Sequence, residues 1–216
     1  DMVRQKVCVI VAGSWGTAIA KVLAEKGNEV WLWSRNQPQV DQINSQRTNP
    51  YLPGIQLPSN IHATTSIQEA VTDASAIVIV APSSAMRQLT AQIQPFIGLD
   101  TLIIHATKGF EAETLKRMTE VIAEEIPQTD PNRLVVLSGP SHAEEVAKQN
   151  PTTVVVASSS NEAADAAQLL LMHSYFRVYT HTHVIGVETG GALKNIIAIG
   201  GGISDGLGFG DNAKAA

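Results

Sequence analysis

The hydrophobic positions of this chain fall into short apolar runs separated by stretches with helical spacing. Apolar runs at residues 6–11 and 29–34 are each followed by a helix-like stretch, at residues 16–26 and 38–45. Strands that alternate with helices are typical of βαβ units, which pair as a parallel sheet. The pattern therefore predicts an α/β fold from the N-terminus onward.

The alternation resumes after a loop rich in turn residues at 49–54. Residues 77–80 and 154–156 are apolar at every position, as expected of central parallel strands that helices cover on both faces. We therefore predict a doubly wound, Rossmann-type, mainly parallel sheet over residues 1–180. The remaining predicted strands and helices are 61–64, 66–72, 76–81, 85–94, 101–106, 113–125, 134–138, 142–149, 153–157, 162–172 and 175–179.

The pattern changes after residue 184, where a stretch rich in small residues runs from Gly186 to Gly210 with no strand afterward. We expect a domain boundary near residue 180. Residues 181–216 are then the first part of an all-α substrate domain. The last six residues resemble the opening of another helix, so this second domain is expected to be truncated.

Composition narrows the function classes. The 216 residues are 44% hydrophobic and carry a formal net charge of -5, which argues against a broad nucleic-acid surface but allows an anionic small molecule.

The apolar run at residues 7–12 is far shorter than the roughly 20 residues of a membrane-spanning helix, and no signal peptide is readable. A single cysteine, Cys8, favours a reducing, cytoplasmic setting. His181 and His183 lack a third ligand at suitable spacing, so no metal site is expected.

A glycine pattern lies between the first predicted strand and helix. Gly13 and Gly16 match the second and third glycines of Gly-x-Gly-x-x-Gly, and Val11 stands where the first is usual. Gly13 would let the backbone approach a pyrophosphate, and Gly16 would let the helix pack closely on the sheet. An ordinary tight turn is the alternative. Because a β-branched residue resists unusual backbone angles, we expect Val11 to weaken cofactor affinity.

The end of the second predicted strand bears on coenzyme choice. An acidic residue near this point commonly binds the ribose 2′-hydroxyl of NAD, but here Ser34 is followed by Arg35. A guanidinium suits a 2′-phosphate, so NADPH is favoured over NAD. Arg35 as a plain solvated charge is the alternative.

Two lysines stand at the ends of apolar elements. Lys108 follows a predicted strand, where ligands bind in open α/β sheets. Lys194 would share a helix face with Gly190 and Gly191, which would leave room for a ring or substrate beside the amine, although close helix packing would explain the glycines equally. The turn at residues 138–141 could bind an anion through its N–H groups or could simply cap the next helix.

Together these residues resemble the bacterial NAD(P)-dependent glycerol-3-phosphate dehydrogenases. The motifs occur in the family's order and span nearly the whole chain. They are Gly-Ser-Trp-Gly-Thr-Ala at 13–18, Asn-Pro-Tyr-Leu-Pro-Gly at 49–54, Ala-Thr-Lys-Gly-Phe-Glu at 106–111, Leu-Ser-Gly-Pro-Ser-His-Ala at 137–143, Ala-Leu-Lys-Asn at 192–195 and Gly-Asp-Asn-Ala-Lys-Ala at 210–215.

The resemblance implies NAD(P)H-dependent reduction of dihydroxyacetone phosphate to sn-glycerol 3-phosphate for glycerophospholipid synthesis. It implies Lys194 as the general acid/base at the substrate's C2 oxygen, with Lys108 and Asn195 orienting and polarising that carbonyl. Gly139 and Ser141 would lie against the phosphorylated substrate, which Lys108 and Lys194 would also bind. The residues implied at the cofactor are Gly13, Ser14, Trp15, Gly16, Arg35, Lys108 and Ala143.

Two other functions stay open at this point. One is a dehydrogenase of the same two-domain plan that acts on a β-hydroxy acid. The other is a cofactor-binding fragment without activity, because the family also uses an Asp and a Ser-Arg-Asn group that lie beyond residue 216. The sequence does not determine the oligomeric state, and a homodimer is one expectation.

Overall fold

The computed structural model describes residues 4–140 and 142–190, which form one eight-stranded sheet with helices on both faces. The strands are β1 Lys6–Ile10, β2 Glu29–Trp33, β3 Ile61–Thr64, β4 Ala76–Ile79, β5 Leu102–His105, β6 Val135–Ser138, β7 Thr152–Ala157 and β8 Phe176–His181. The helices are α1 Ser14–Glu25, α2 Gln37–Gln46, α3 Ile67–Val71, α4 Met86–Ile93, α5 Met118–Glu125, α6 Ala143–Ala147, α7 Asn161–Leu171 and α8 Val184–Glu188. The predicted doubly wound, Rossmann-type fold is confirmed.

The strand order is β3-β2-β1-β4-β5-β6-β7-β8. Strands β1 to β6 are mutually parallel, and β7 runs antiparallel to β6 but parallel to β8. Residues 154–156 were predicted to lie in a central parallel strand. That prediction is wrong for the pairing with β6, which is antiparallel, although the segment is buried and pairs in parallel with β8. A run that helices cover on both faces is apolar whichever way its neighbours point, so burial does not reveal strand direction.

Alternate side chains of the central strands pack into two cores on opposite faces of the sheet. In β1, Val7 and Val9 belong to the core beneath α1, α2, α6 and α7. Cys8 and Ile10 belong to the core beneath α3, α4 and α5. Cys8 is buried, and burial raises the pKa of its thiol far above the ordinary value, which fits a packing role for this cysteine.

Side-chain caps begin several of the helices where the sequence changes from extended to helical. Asn36, Ser66 and Ser160 each precede a helix and accept a hydrogen bond from a backbone N–H in its first turn. The α1 helix differs because its N-cap is Gly13, which offers no side chain to the free N–H groups. The first turn of α1 is thus left open.

The helix predicted at residues 113–125 begins later than expected, at Met118. Residues 110–117 instead form a loop closed by a β-bridge between Phe110 and Arg117. Leu115 adopts a left-handed φ of 59°, and Glu111, just before the predicted helix, pairs with Arg87. The helical spacing of these residues is overridden by this tertiary ion pair and by the turn.

The prediction that Gly190 lies within a helix leading to Lys194 is wrong. The α8 helix ends at Glu188, and Gly190 has a left-handed φ of +84°, with its N–H donating to the carbonyl of Val187. A glycine in this conformation is a common helix terminator because it has no Cβ to clash. Gly191 and Lys194 lie outside the described residues.

Over the residues described, no helix is both long and apolar enough to span a membrane. The same part of the chain contains no group of three or more His, Cys, Asp or Glu side chains placed to hold a metal ion. His181 and His183 lie near each other, with ring centroids 6.4 Å apart.

Two leucines of α7 provide a test of the core. Leu171 is fully buried, whereas Leu169, two residues earlier, is 74% exposed. We expect Leu171→Ala to lower the free energy of unfolding by about 2–5 kcal/mol, because it removes buried methyl groups and leaves a cavity. The matched control Leu169→Ala should change it by less than about 0.5 kcal/mol. Urea unfolding would measure both, and equal losses would contradict the packing described here.

Candidate functional site

The candidate site lies at the edge of the sheet where the parallel strands end. The chain winds from β1 through β2 to β3 on one side and then returns to β4 on the other side of β1. The helices that follow β1 and β4 therefore diverge, which opens a crevice beyond the carboxyl ends of these strands. Gly13 follows β1, Lys108 follows β5 and Gly139 follows β6, so the fold brings these predicted residues to one edge.

The first turn of α1 is the part of this edge best suited to an anion. Gly13 has an ordinary extended conformation, with φ at -74°, and no heavy atom lies within 4 Å of the position that its Cβ would occupy. The first turn has no acidic residue and no side-chain cap. Open space, free N–H groups and the positive end of the helix dipole fit the pyrophosphate of a dinucleotide.

Gly16 sets how closely α1 approaches β1. A Cβ at this position would lie 2.1 Å from the carbonyl oxygen of Val11, a distance that no side chain could tolerate. Val11 itself has a φ of +82°, the left-handed region that a glycine would adopt easily. The turn therefore keeps the backbone form of the glycine motif, at a cost of about 1–2 kcal/mol for the valine.

A buried cluster of polar side chains forms hydrogen bonds with the backbone of this turn. The amides of Gln39 and Asn49 both donate to the carbonyl oxygen of Ala12, at 2.6 and 3.1 Å. Asn49 also donates to Thr17 Oγ1 in α1, and Gln39 donates to Asn49 Oδ1. The predictions assigned no role to Gln39, and they noted Asn49 only as the first residue of the 49–54 motif, because the sequence does not show which buried groups these amides contact.

The same cluster reaches the end of β2. The hydroxyl of Ser34 donates to Gln39 Oε1 at 2.5 Å and accepts from the backbone N–H of Asn36, so it is already used within the protein. Arg35, the next residue, is exposed, and its charge is not matched by an ion pair with any residue that the structure describes. The exposed guanidinium of Arg35 is therefore accessible to a ligand at this strand end.

A cavity of about 220 Å³ lies between the strand ends and α8. Trp15 from the first turn of α1 and Lys108 from the turn after β5 both line it. Gly139 and Glu188 also line it. Lys108 is exposed and forms no ion pair within the described part of the chain, so its ammonium is available to a bound anion or carbonyl.

The other predicted residues are divided between this edge and the part that the structure does not describe. Gly139 packs against β7, where a Cβ would lie 2.7 Å from Val154 Cγ1. Ala143 is buried at the start of α6. Ser141, Lys194 and Asn195 lie outside the described residues, so their predicted roles stay predictions.

Comparison with known families agrees with this arrangement. A profile described as NAD-dependent glycerol-3-phosphate dehydrogenase N-terminus matches residues 6–164. The chain belongs to this family. The corresponding C-terminus profile matches residues 183–216.

Curated members of the glycerol-3-phosphate dehydrogenase family are similar along almost the entire chain. Glycerol-3-phosphate dehydrogenase [NAD(P)+] of Enterococcus faecalis is 52% identical over 214 residues, which is 99% of this chain and 63% of that protein. The protein of the same name from Bacillus anthracis is 52% identical over 212 residues. The chain thus spans less than two thirds of the length of these relatives.

Solved structures of the family have the same fold. The glycerol-3-phosphate dehydrogenase of Coxiella burnetii superposes with a TM-score of 0.81 at 39% identity, covering 98% of this chain and 64% of that one. The Plasmodium falciparum enzyme gives 0.80 at 29% identity, covering 98% of this chain and 62% of the other. A UDP-D-MAnNAc dehydrogenase from Pyrococcus horikoshii, 15% identical with a TM-score of 0.68, is similar in fold alone.

The two glycines of the first turn are expected to differ in what they tolerate. Gly16→Ala should lower the free energy of unfolding by about 1–3 kcal/mol or more, because its methyl group meets the carbonyl of Val11. Gly13→Ala meets no neighbour and should change stability by less than about 0.5 kcal/mol. Urea unfolding of both variants would test this, and a stable Gly16→Ala protein would show that the close approach is not required.

Proposed function

We propose that this chain is the coenzyme-binding part of an enzyme that reduces dihydroxyacetone phosphate to sn-glycerol 3-phosphate with NADPH or NADH, for glycerophospholipid synthesis. The observation that carries the proposal is that Trp15, at the uncapped start of α1, and Lys108 line the same cavity. Family membership supports the same reaction. Residues 1–180 would form the dinucleotide-binding domain, and residues 181–216 would begin the helical substrate domain.

The coenzyme would lie across the carboxyl ends of the strands. Its pyrophosphate would accept hydrogen bonds from the N–H groups at the start of α1, beside Gly13, Ser14 and Trp15, while Gly16 keeps that helix close to the sheet. Ala143, at the start of α6, would contact the coenzyme from the next strand end. When bound, the nicotinamide supplies the hydride that reduces the carbonyl carbon.

The protein's own contribution is to orient the substrate and supply a proton. Lys108 and Asn195 would donate to the carbonyl oxygen, which polarises the carbonyl, and Lys194 would transfer a proton to the alkoxide that forms there. Gly139 and Ser141 would let the chain approach the phosphorylated substrate closely. The negative charge of the substrate would be matched by the lysines despite the acidic balance of the whole chain.

The surroundings of Arg35 support a preference for NADPH. Because the Ser34 hydroxyl is engaged with Gln39 and Asn36, it is a poor acceptor for the ribose 2′-hydroxyl of NADH. Arg35 is exposed beside it and can form charge-assisted hydrogen bonds to a 2′-phosphate.

We further propose a cytoplasmic enzyme that acts on a small phosphorylated substrate and requires neither nucleic acid nor stable membrane insertion. The single buried cysteine and the acidic net charge support this setting. A homodimer stays a prediction from the sequence.

The catalytic role of Lys194 can be tested in a protein that continues this chain to the full length of its relatives. We expect turnover with dihydroxyacetone phosphate and none with a panel of β-hydroxy acids, followed by coenzyme oxidation. Lys194→Ala should lower kcat by about 10²- to 10⁴-fold, because it removes the proton donor. The exposed Lys148→Ala serves as the control and should keep full activity. Retained activity in Lys194→Ala would remove this lysine from the catalytic role.

Coenzyme preference can be tested at Arg35 in the same longer protein. Arg35→Ala should raise the KM for NADPH by about 10- to 100-fold, since charge-assisted hydrogen bonds contribute about 1.5–3 kcal/mol. The KM for NADH should change by less than about twofold. Arg177→Ala, an exposed arginine on β8, is the matched control. Equal effects on the two coenzymes would mean that Arg35 does not contact the 2′-phosphate.

A further inference from the structure

A buried carboxylate joins α8 to the end of β5. The side chain of Glu188 is 3% exposed and is surrounded by donors. Its Oε2 accepts from His105 Nε2 at 2.6 Å and from both the backbone N–H and the hydroxyl of Thr119. Its Oε1 accepts from Arg117 Nη1 at 2.9 Å. Four donors thus converge on one buried carboxylate, whereas an exposed ion pair needs only one donor and one acceptor.

The imidazole of His105 is fixed in one protonation form by its two neighbours. The backbone N–H of Thr107 donates to His105 Nδ1 at 3.2 Å, so that nitrogen has no proton. The other nitrogen, Nε2, must then hold the proton that it donates to Glu188. His105 is 1% exposed, and this pair of contacts describes a neutral ring in its Nε2–H tautomer.

The contacts of His105 continue to the turn that bears Lys108. The Thr107 backbone is held by His105, and the Thr107 hydroxyl donates to the carbonyl of Ala81 at 2.7 Å, beyond the end of β4. The two acceptors of Thr107, His105 Nδ1 and the carbonyl oxygen of Ala81, thus lie at or just beyond the ends of β5 and β4. Lys108 is the next residue after Thr107. Displacement of His105 would release one of the two hydrogen bonds that Thr107 makes at this turn.

We infer that Glu188 and His105 are positioning residues that hold Lys108 toward the substrate cavity. The inference rests on the proposed function, in which Lys108 polarises the carbonyl. Glu188 itself lines the same cavity as Lys108. If its oxygens lacked their donors, the carboxylate would compete with the substrate for the Lys108 ammonium.

The charge balance of the group is consistent with this role. Burial alone would raise the pKa of Glu188, but the hydrogen bonds from His105 and Thr119 outweigh it, and its pKa lies below the ordinary value. The carboxylate therefore stays charged at neutral pH. Arg117, whose Nη1 lies 2.9 Å from Glu188 Oε1, supplies a compensating positive charge.

The first experiment reads the tautomer directly in this chain. Nitrogen-15 NMR of histidine-labelled protein should show His105 as a neutral ring with its proton on Nε2 at pH 7. In Glu188→Gln, exchange of the Thr107 amide hydrogen should become faster, because an uncharged amide holds the ring that accepts from it less strongly than the carboxylate does. An Nδ1–H tautomer or an imidazolium in the unchanged protein would overturn the inference, whatever reaction the enzyme catalyses.

The second experiment asks whether Glu188 acts through Lys108 in the longer protein. We expect Glu188→Gln to lower kcat by about 10- to 100-fold with the KM for NADPH changed less than about twofold, as misplacement of one orienting group predicts. Combined with Lys108→Ala, the change at Glu188 should cost little more. Glu120→Gln, which alters an exposed carboxylate near Arg117, is the control and should leave kcat unchanged.

The outcomes separate this inference from the proposed function. Multiplying losses in the double variant would show that Glu188 acts independently of Lys108 and would overturn the positioning role. If Glu188→Gln does not fold, His105→Gln is the second variant, because it keeps an N–H donor toward Glu188 but lacks the ring nitrogen that accepts from Thr107. It should show the same kcat loss, and combining it with Lys108→Ala should cost little more than Lys108→Ala alone. Absence of turnover in the unchanged longer protein would instead refute the proposed function, and the tautomer measurement would still stand.

Discussion

The turn between β1 and α1 is the constraint on which the candidate coenzyme site depends. Two successive backbone carbonyl groups define this turn. The carbonyl oxygen of Val11 lies against Gly16, and the carbonyl oxygen of Ala12 accepts hydrogen bonds from the buried side-chain amides of Gln39 and Asn49. The carbonyls are thus fixed toward the protein, which leaves the first N–H groups of α1 facing outward. A helix start held in this way needs no reorganisation to bind an anion.

The buried amides also explain how Val11 can occupy a glycine position. A valine at a φ of +82° is strained, and such strain persists only where the surrounding structure holds the backbone in place. The hydrogen bonds of Gln39 and Asn49 lie one residue away, and they also connect the turn to Ser34 at the end of β2. In the proposed binding mode, one polar cluster would therefore link the turn that binds the pyrophosphate to the strand end that recognises the ribose.

A second polar cluster, made by His105, Glu188, Thr119 and Arg117, plays the corresponding part at the end of β5. Each cluster is buried, each fixes a turn at the same edge of the sheet, and each turn carries residues assigned to coenzyme or substrate. Buried polar groups that are fully hydrogen-bonded rigidify their surroundings, whereas partly satisfied ones are costly. This suits a site whose charged groups must be held in place before ligands arrive.

The sequence by itself determined the alternation of strands and helices, the loop at 49–54, the close approach at Gly16 and the glycerol-3-phosphate dehydrogenase family, because these depend on local periodicity and short motifs. It did not determine the antiparallel direction of β7, because a buried apolar run looks the same in a parallel and an antiparallel strand. Nor did it determine the late start of α5 or the end of α8 before Gly190, because helical spacing of apolar residues can continue beyond the point where the helix ends. Only the tertiary structure identified Gln39, Asn49, His105 and Glu188 as supports of the site. Several of the contacts that define these roles join residues far apart in the chain, such as Gln39 with Ala12 and His105 with Glu188, which are 27 and 83 residues apart. No local pattern encodes a contact between residues that only folding brings together.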